Sequence, residues 1–413
     1  MNSGNQKIVK DLKKLLDNYL TESSSNKLIK VLEEDISVQT LPENNITELD
    51  KNQLEYEPPR GIDYRIILDK IITHCEKLLS EEKYLKLILD ISELLFFAGE
   101  IPYSLETAEI LLNKIQKDTK YLKLCADTNL MISKIYWSQA YWEDCNHYIS
   151  EARKIFKSID SKSGLAKCEN MLGTFYGERG EFNKAEIHLE KALYYLSLED
   201  DLSSRAMIFT NLGILKTINK DFEKAIWNYK NAVEAFSKLN DNRRLARVYH
   251  NIGMLYTRME SFDEALDEFN KCITLSLEND YISNCAVAYI GKAFIYIKLK
   301  NQALADAYTD KAMELAYKIN DTLSIADIYK IKGMIQNDLS NFELSEEMFE
   351  NSIRLNKDVE SKLNEAESSL QLGELLKKSN RSNEALPYLE TAQNYFQGLK
   401  SVHETAGLVE LSI

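Results

Sequence analysis

A small residue returns every 40 residues through most of this chain. The series is Ser133, Gly173, Gly213, Gly253, Ala293, Gly333 and Gly373. Because the register does not slip across this series, one structural unit must recur, and such units bury their apolar faces by stacking on their neighbours. A length of 413 residues therefore does not require several globular domains.

Two further positions in each unit take only small residues. Twelve residues after the first position stand Cys145, Ala185, Ala225, Ala265, Ala305, Ser345 and Ala385. Nineteen residues after it stand Ala152, Ala192, Ala232, Cys272, Ala312, Ser352 and Ala392. A separation of seven residues places both positions on one face of a helix, where they let another helix approach closely.

The repeated glycine belongs to a preceding helix, because Tyr249, Ile252 and Tyr256 surround Gly253 at helical apolar spacing. Glycine there costs roughly 1 kcal/mol of helix propensity but lets the second helix press against the first. Each unit is therefore predicted to be an antiparallel pair of helices. Polar residues between the units indicate turns and predict caps for the next helix. They are Asp160, Asp200, Asn240, Asp280, Asn320 and Glu360.

One unit carries Leu172, Gly173, Tyr176, Ala185, Leu189 and Ala192, and later units carry their equivalents. This pattern resembles the tetratricopeptide repeat over roughly residues 83 to 413. The period is longer than the usual 34 residues, and it is similar to the variant in kinesin light chains, spindle-orientation adaptors and bacterial peptide-sensing regulators. The resemblance implies an all-α fold, a right-handed α-solenoid of about eight antiparallel helix pairs.

Five parts of the chain are predicted. They are N-terminal short helices in 1–36, a proline-containing acidic linker or arm in 37–62, irregular helices with a degenerate repeat in 63–120, regular repeats in 121–400 and a terminal capping helix in 401–413. The arm is interpreted either as a spacer or as an autoinhibitory segment that folds over a basic groove. The last segment is interpreted either as a cap or as the point where a longer signalling protein is truncated.

The composition predicts a cytoplasmic, all-helical protein. The net charge is −14, which argues against general binding of nucleic acid or anionic membrane. There is no membrane-length apolar run and no signal-peptide pattern at the N-terminus. The six cysteines form no C-x-x-C pair and are expected to be reduced, packing residues.

No catalytic pattern is present in the sequence. The five histidines lack metal-ligand spacing, and there is no H-E-x-x-H, no phosphate-binding glycine loop and no G-x-S-x-G. We therefore expect a protein that is not an enzyme and that has no cofactor and no metal site. Its function must then reside in a binding surface.

In a helix-pair solenoid the first helices line the inside of the curve. The residues predicted to bind a peptide there are Asn170, Thr210, Asn211, Arg247, His250, Asn251, Met254 and Arg258. Asn211 and Asn251 occupy one repeat position, and an asparagine can pair with both the C=O and the N–H of a peptide backbone. The resemblance implies the same role, although each asparagine could instead bond to a neighbouring helix.

Basic residues cluster near the same place in an otherwise acidic chain. Arg243 and Arg244 open a first helix, where cations oppose the helix dipole. Either they pair with Asp241, Glu234 or the preceding helix, or they serve an anionic ligand together with Arg247 and Arg258.

The predicted function is a protein- or peptide-binding scaffold or regulatory module whose partner has an extended acidic segment. Two alternatives remain open at this stage. One is a sensory domain of a larger signalling system, and the other is an accessory subunit of a nucleoprotein or effector complex that contacts RNA through Arg243 to Arg258. The oligomeric state is not predicted.

Overall fold

A computed structural model describes residues 3–39, 64–139, 141–197, 201–279, 281–319, 321–359 and 361–400. Over these ranges the chain forms nineteen α-helices and a short 3-10 turn at Thr119–Tyr121, with no β-strand. The predicted all-α fold of antiparallel helix pairs is confirmed. No helix in the same ranges is both long enough and apolar enough to span a membrane.

The helices fall into two compact units, Met1–Asp160 and Ser161–Ile413. The first contains α1 (Ser3–Asp17), α2 (Glu22–Gln39), α3 (Tyr64–Leu78), α4 (Glu81–Phe97), α5 (Ile101–Ile115), α6 (Leu122–Ser138) and α7 (Trp142–Ser158). The second contains α8 (Lys162–Glu178), α9 (Phe182–Leu196), α10 (Leu202–Ile218), α11 (Phe222–Lys238), α12 (Asn242–Arg258), α13 (Phe262–Glu278), α14 (Ile282–Lys298), α15 (Gln302–Lys318), α16 (Thr322–Asp338), α17 (Phe342–Asp358), α18 (Lys362–Lys378) and α19 (Ser382–Lys400).

The first unit buries Leu12 and Leu16 of α1, which are at most 2% exposed, in a core shared with α2 to α5. The helix α2 is longer than predicted and extends to Gln39. The rest of the predicted arm, residues 40–62, lies outside the described residues, and so does the predicted terminal helix in 401–413.

In the second unit the helices of each regular pair meet at the predicted glycine, except in the pair α14 and α15, where Ala293 takes its place. A Cβ atom added to Gly253 would lie 2.7 Å from the ring of Phe269 on α13, and one added to Gly213 would lie 2.5 Å from Tyr229 on α11. Gly173, Gly333 and Gly373 meet Leu189, Phe349 and Leu389 in the same way. In every 40-residue repeat, the residues at both small positions of the second helix are at most 1% exposed. The predicted close approach of the two helices is therefore confirmed.

The ring of Phe269 also lies against the next first helix. A Cβ atom added to Gly291 on α14 would lie 2.5 Å from its Cζ atom. One aromatic side chain therefore fills the space left by two glycines on successive first helices. This contact ties a helix pair to the following pair as well as joining its own two helices.

The turn residues correct the predicted caps by one position. Asp160 and Asn240 have φ values of 51° and 52° and end the preceding helices in the left-handed conformation. The side chains that cap the next helices belong to Ser161 and Asp241, which accept hydrogen bonds from the amides of Gly164 and Arg244. The other predicted capping positions, 200, 280, 320 and 360, lie outside the described residues.

The glycine contact predicts that Gly253→Ala destabilises the protein. Alanine gains roughly 1 kcal/mol of helix propensity, but its Cβ would overlap the Phe269 ring, and overpacking typically costs about 1 to 3 kcal/mol. We expect a lower midpoint in thermal unfolding followed by circular dichroism. Gly177→Ala is the matched control, because its added Cβ would lie 4.0 Å from the side chain of Ala185, an ordinary contact.

The repeat in which alanine replaces the glycine suggests a substitution that would compensate for Gly253→Ala. There Ala293 is followed sixteen residues later by the smaller Thr309, and both are fully buried. The double variant Gly253→Ala with Phe269→Thr should therefore lose less unfolding free energy than the sum of the losses in the two single variants. Purely additive losses would contradict the direct contact.

Candidate functional site

The first helices of successive pairs, α8, α10, α12, α14, α16 and α18, contact one another along the second unit. We call the surface that they present away from the second helices the first-helix face. All eight residues predicted to bind a peptide lie on α8, α10 or α12. Their hydrogen bonds and exposure divide them into two groups.

The first group ties α8 to α10. The Nδ2 atom of Asn211 donates to the Oδ1 atom of Asn170 at 2.9 Å and to the Oγ1 atom of Thr174 at 3.2 Å. Thr210 is 9% exposed, and its hydroxyl donates to the carbonyl of Ala206 on its own helix. The sequence left open whether these asparagines bond to a neighbouring helix, and Asn211 and Asn170 do so.

The second group lies on α12. Asn251 is partly exposed, and the structure shows no hydrogen bond from its amide to any described residue. Arg247 is exposed one helical turn before it, and Met254 is partly buried against the core beneath α12 and α14. The side-chain amide of Asn211 is therefore bonded to a neighbouring helix, whereas that of Asn251, at the same repeat position, is available to a ligand.

Arg247 is exposed on α12. Burial nonetheless lowers the pKa of its guanidinium, and the neighbouring charges of Arg243 and Arg244 lower it further. An anionic group that paired with this guanidinium would relieve the repulsion among the three cations.

His250 lies beside Arg247 and against the core. Its ring centroid is 5.5 Å from that of Phe269, and its Nδ1 atom is shielded from solvent without a hydrogen-bond partner among the described residues. Burial, together with the charge of Arg247, lowers the pKa of His250 to about 4. The imidazole is therefore neutral at pH 7.

The basic residues at the start of α12 divide between the two interpretations. Arg244 pairs with Asp241, with Nη1 and Oδ2 2.6 Å apart, which is the structural alternative considered from the sequence. Arg243 is exposed, and its carbonyl accepts a hydrogen bond from Asn284 on α14 at 3.1 Å. Arg244 is therefore a structural residue.

A charged cluster on α16 and α18 was not found from the sequence. Lys330 forms ion pairs with Glu367 at 2.5 Å and with Asp327 at 3.3 Å. Although burial alone would lower the pKa of Lys330, the two carboxylates raise it above its ordinary value. Repeat arithmetic could have found the cluster, because Asp327 and Glu367 share the repeat position of Arg247, and Lys330 shares that of His250.

Arg258, at the end of α12, is in electrostatic reach of this cluster. Burial lowers the pKa of Arg258, while the negative forms of Tyr229 and Glu367 raise it. Glu367 lies on α18, whereas Arg258 lies on α12, with α14 and α16 between them in the stack. The charge of Glu367 therefore acts on Arg258 from a first helix that is not its neighbour in the stack.

The described ranges assemble neither a metal site nor a reactive thiol. No group of three or more His, Cys, Asp or Glu side chains there could hold a metal ion. All six cysteines are buried, and burial raises the pKa of Cys272 to about 12 and that of Cys285 to about 11. These thiols are packing residues, as the sequence predicts.

The buried histidine predicts a specific dependence of stability on pH. Its folded pKa of about 4 lies below the unfolded value of about 6.5, so the unfolded chain binds more protons between these values and stability falls as the pH drops from 6.5 towards 4. The thermal midpoint of the wild type should lose its advantage over His250→Gln across this window. His147→Gln, at an exposed position, is the control and should leave the pH profile unchanged.

Comparison with known proteins identifies the repeat. Residues 204–278 match the tetratricopeptide repeat model, and the resemblance predicted from the 40-residue pattern is confirmed. No curated protein sequence matches the chain significantly.

Solved structures share the fold at low sequence identity. A Rap protein in complex with Competence and Sporulation Factor has a TM-score of 0.62 at 14% identity, covering 82% of this chain and 93% of that one. The apo form of the quorum sensor NprR from B. thuringiensis has a TM-score of 0.55 at 16% identity, covering 91% and 99%. A signal-transduction ATPase with a tetratricopeptide repeat sensor from Pyrococcus horikoshii has a TM-score of 0.54 at 12% identity. This chain spans 64% of that protein.

Proposed function

We propose that this tetratricopeptide-repeat chain is a non-catalytic regulatory module that holds an extended segment of a protein or peptide partner on its first-helix face, centred on α12. The observation that carries the proposal is Asn251. Its side chain is partly exposed and unpaired among the described residues, one helical turn after the exposed Arg247. Two proteins that share the fold support it: a Rap protein solved with Competence and Sporulation Factor, and the quorum sensor NprR.

The chemistry of α12 suits an extended, acidic segment. An asparagine amide offers one acceptor and two donors, which match the N–H and C=O of a peptide unit without reading its side chain. Arginine can bond a carboxylate through two parallel N–H groups. Asn251 would therefore hold the backbone, while Arg247 and Arg258 would select carboxylates.

The partner is identified experimentally by selecting peptides from a random dodecapeptide library on the immobilised protein. Peptides enriched on the wild type and lost in competition with the free protein would support the proposal. Enrichment of no peptide would contradict it. Retention of RNA by the same protein would favour the nucleoprotein alternative, in which Arg243 to Arg258 contact the phosphates.

The two asparagines at one repeat position form a matched pair of variants. Asn251→Ala should weaken binding of every selected peptide by about 1 to 3 kcal/mol, because it removes hydrogen bonds that the partner buries. Asn211→Ala should mainly lower the thermal midpoint, because it removes the bonds to Asn170 and Thr174. Isothermal titration calorimetry and thermal unfolding distinguish the two effects.

If Asn211→Ala weakened peptide binding and Asn251→Ala only lowered the thermal midpoint, the site would lie on α8 and α10 instead of α12. Equal affinity of both variants and the wild type would remove the first-helix face from the proposal. In that case the surface of the second helices or of the first unit would be the next to test.

The arginines are predicted to control selectivity rather than overall affinity. Arg247→Ala combined with Arg258→Ala should reduce the preference for acidic over neutral selected peptides and flatten the dependence of affinity on salt. Arg243→Ala is the control because it removes a nearby exposed cation from the same helix. An unchanged acidic preference in the double variant would contradict the assignment.

A further inference from the structure

An apolar patch lies where two consecutive helix pairs turn from their first helix to their second. Its side chains are 38 to 50% exposed. They are Leu299 and Leu304 at the turn from α14 to α15, and Leu339, Phe342 and Leu344 at the turn from α16 to α17. Single exposed leucines are ordinary on a protein surface, whereas adjacent ones that form a patch often mark an interaction site.

The four leucines are specific to these two helix pairs. In the other repeats the position of Leu299 and Leu339 holds Gln139, Arg179, Asn219, Met259 and Ser379. The position of Leu304 and Leu344 holds Asp144, Lys184, Lys224, Glu264 and Glu384, all of which are charged. Packing of the repeat therefore does not require leucine at either position, and the exposed leucines need a role outside the stack.

The two turns lie side by side on one edge of the second unit. The Nζ atom of Lys300, at the first turn, is 3.0 Å from the Oδ2 atom of Asp338, at the second. The helices α14 and α16 that lead into the turns also contact each other. The five apolar side chains therefore belong to one surface.

The two turns carry opposite charges. Residues 298–304, which we call the basic turn, contain Lys298 and Lys300 and no carboxylate, so their formal charge is +2. Residues 338–344, the acidic turn, contain Asp338 and Glu343 and no cation, so their formal charge is −2. The equivalent turns on either side continue the alternation, with −2 in 258–264 and +1 in 378–384. The edge is therefore complementary to a second copy of itself that is rotated by 180°.

We propose that this edge is a self-association surface, at which two copies of the chain form a two-fold symmetric dimer. The basic turn of each copy packs on the acidic turn of the other, with the leucines of both between them. Because the two turns adjoin on one surface, the same two copies make both contacts and the assembly closes as a dimer. The inference does not depend on the function proposed above, since the edge lies at the ends of the helices and leaves the first-helix face free.

Charge selects this arrangement over the alternatives. The chain has a net charge of −14, so two copies repel each other in most orientations. Alignment of like turns would oppose cations to cations and carboxylates to carboxylates, whereas the proposed dimer opposes +2 to −2 at two places. Five half-exposed side chains form a small apolar centre beside the roughly 800 Å² that each side of a standard interface buries. The dimer is therefore reversible.

Sedimentation equilibrium over a range of protein concentrations tests the dimer directly. We expect the wild type to follow a reversible monomer–dimer equilibrium. Leu299→Ser combined with Leu339→Ser should raise the dissociation constant at least about tenfold, because it removes four apolar side chains from each interface. Both leucines are half-exposed, so the fold should be retained, which circular dichroism checks.

Leu239→Ser combined with Leu277→Ser is the matched control. These leucines are 41% and 61% exposed, and they lie at the C-terminal ends of α11 and α13, on the opposite edge of the stack. The control should dimerise as the wild type does. Equal weakening by both double variants would overturn the inference. A wild type that remains monomeric at every concentration would also overturn it and would leave the patch to a partner of another kind.

A charge exchange tests how the turns pair. Lys298→Glu brings the basic turn to a formal charge of zero, and Glu343→Lys does the same for the acidic turn. Both variants keep the pair of Lys300 and Asp338. Each variant alone should dimerise less than the wild type, because neither of its two contacts opposes +2 to −2.

An equimolar mixture of the two variants should dimerise more strongly than either variant alone. In the mixed dimer the unchanged acidic turn of Lys298→Glu meets the unchanged basic turn of Glu343→Lys, so one contact keeps its full attraction. Absence of any gain on mixing would overturn the proposed pairing of the turns.

Discussion

The contact on which the stack depends is a large side chain of one helix filling the space left by a missing side chain on another. The ring of Phe269 makes this contact with two glycines, Gly253 and Gly291. Close approach of two helix backbones gains many weak dispersion contacts, and it also fixes the rotation of each helix about its own axis. Because that rotation is fixed, residues at one repeat position take equivalent places on successive first helices, and the first-helix face follows from the packing.

The sequence predicted this architecture because the packing repeats. A glycine or a small residue at a fixed position leaves a signal at 40-residue spacing, and seven occurrences strengthen one another. The residue that packs against the small position was harder to find, since the position sixteen residues later holds isoleucine, leucine, tyrosine, phenylalanine or threonine. The caps were misplaced by one residue because two polar residues adjoin at the turn, and φ decides which one ends a helix.

The candidate site was predicted less completely, for a physical reason. Asn211 and Asn251 are the same residue at the same repeat position, so no pattern within the chain separates them. Their difference comes from the preceding first helix, which offers Asn170 and Thr174 to Asn211. Whether a polar side chain is available depends on the side chains across the stack, and its own repeat position does not give them. The cluster of Lys330 and Glu367 was missed because its members become informative only when the repeat positions of two adjacent first helices are compared.

The left-handed turn residues have a consequence for how such a chain changes its length. Positive φ values recur at residues 160, 180, 220, 240, 260, 300, 340 and 380, all between 51° and 72°. In the regular repeats, the described turns inside helix pairs and the two described turns between pairs therefore each contain one residue in the left-handed conformation. A duplication or loss of 40 residues can begin at any of these turns and still rejoin helices through a turn of the same kind. Lineages can thus lengthen or shorten the array by recombination without having to invent a new junction.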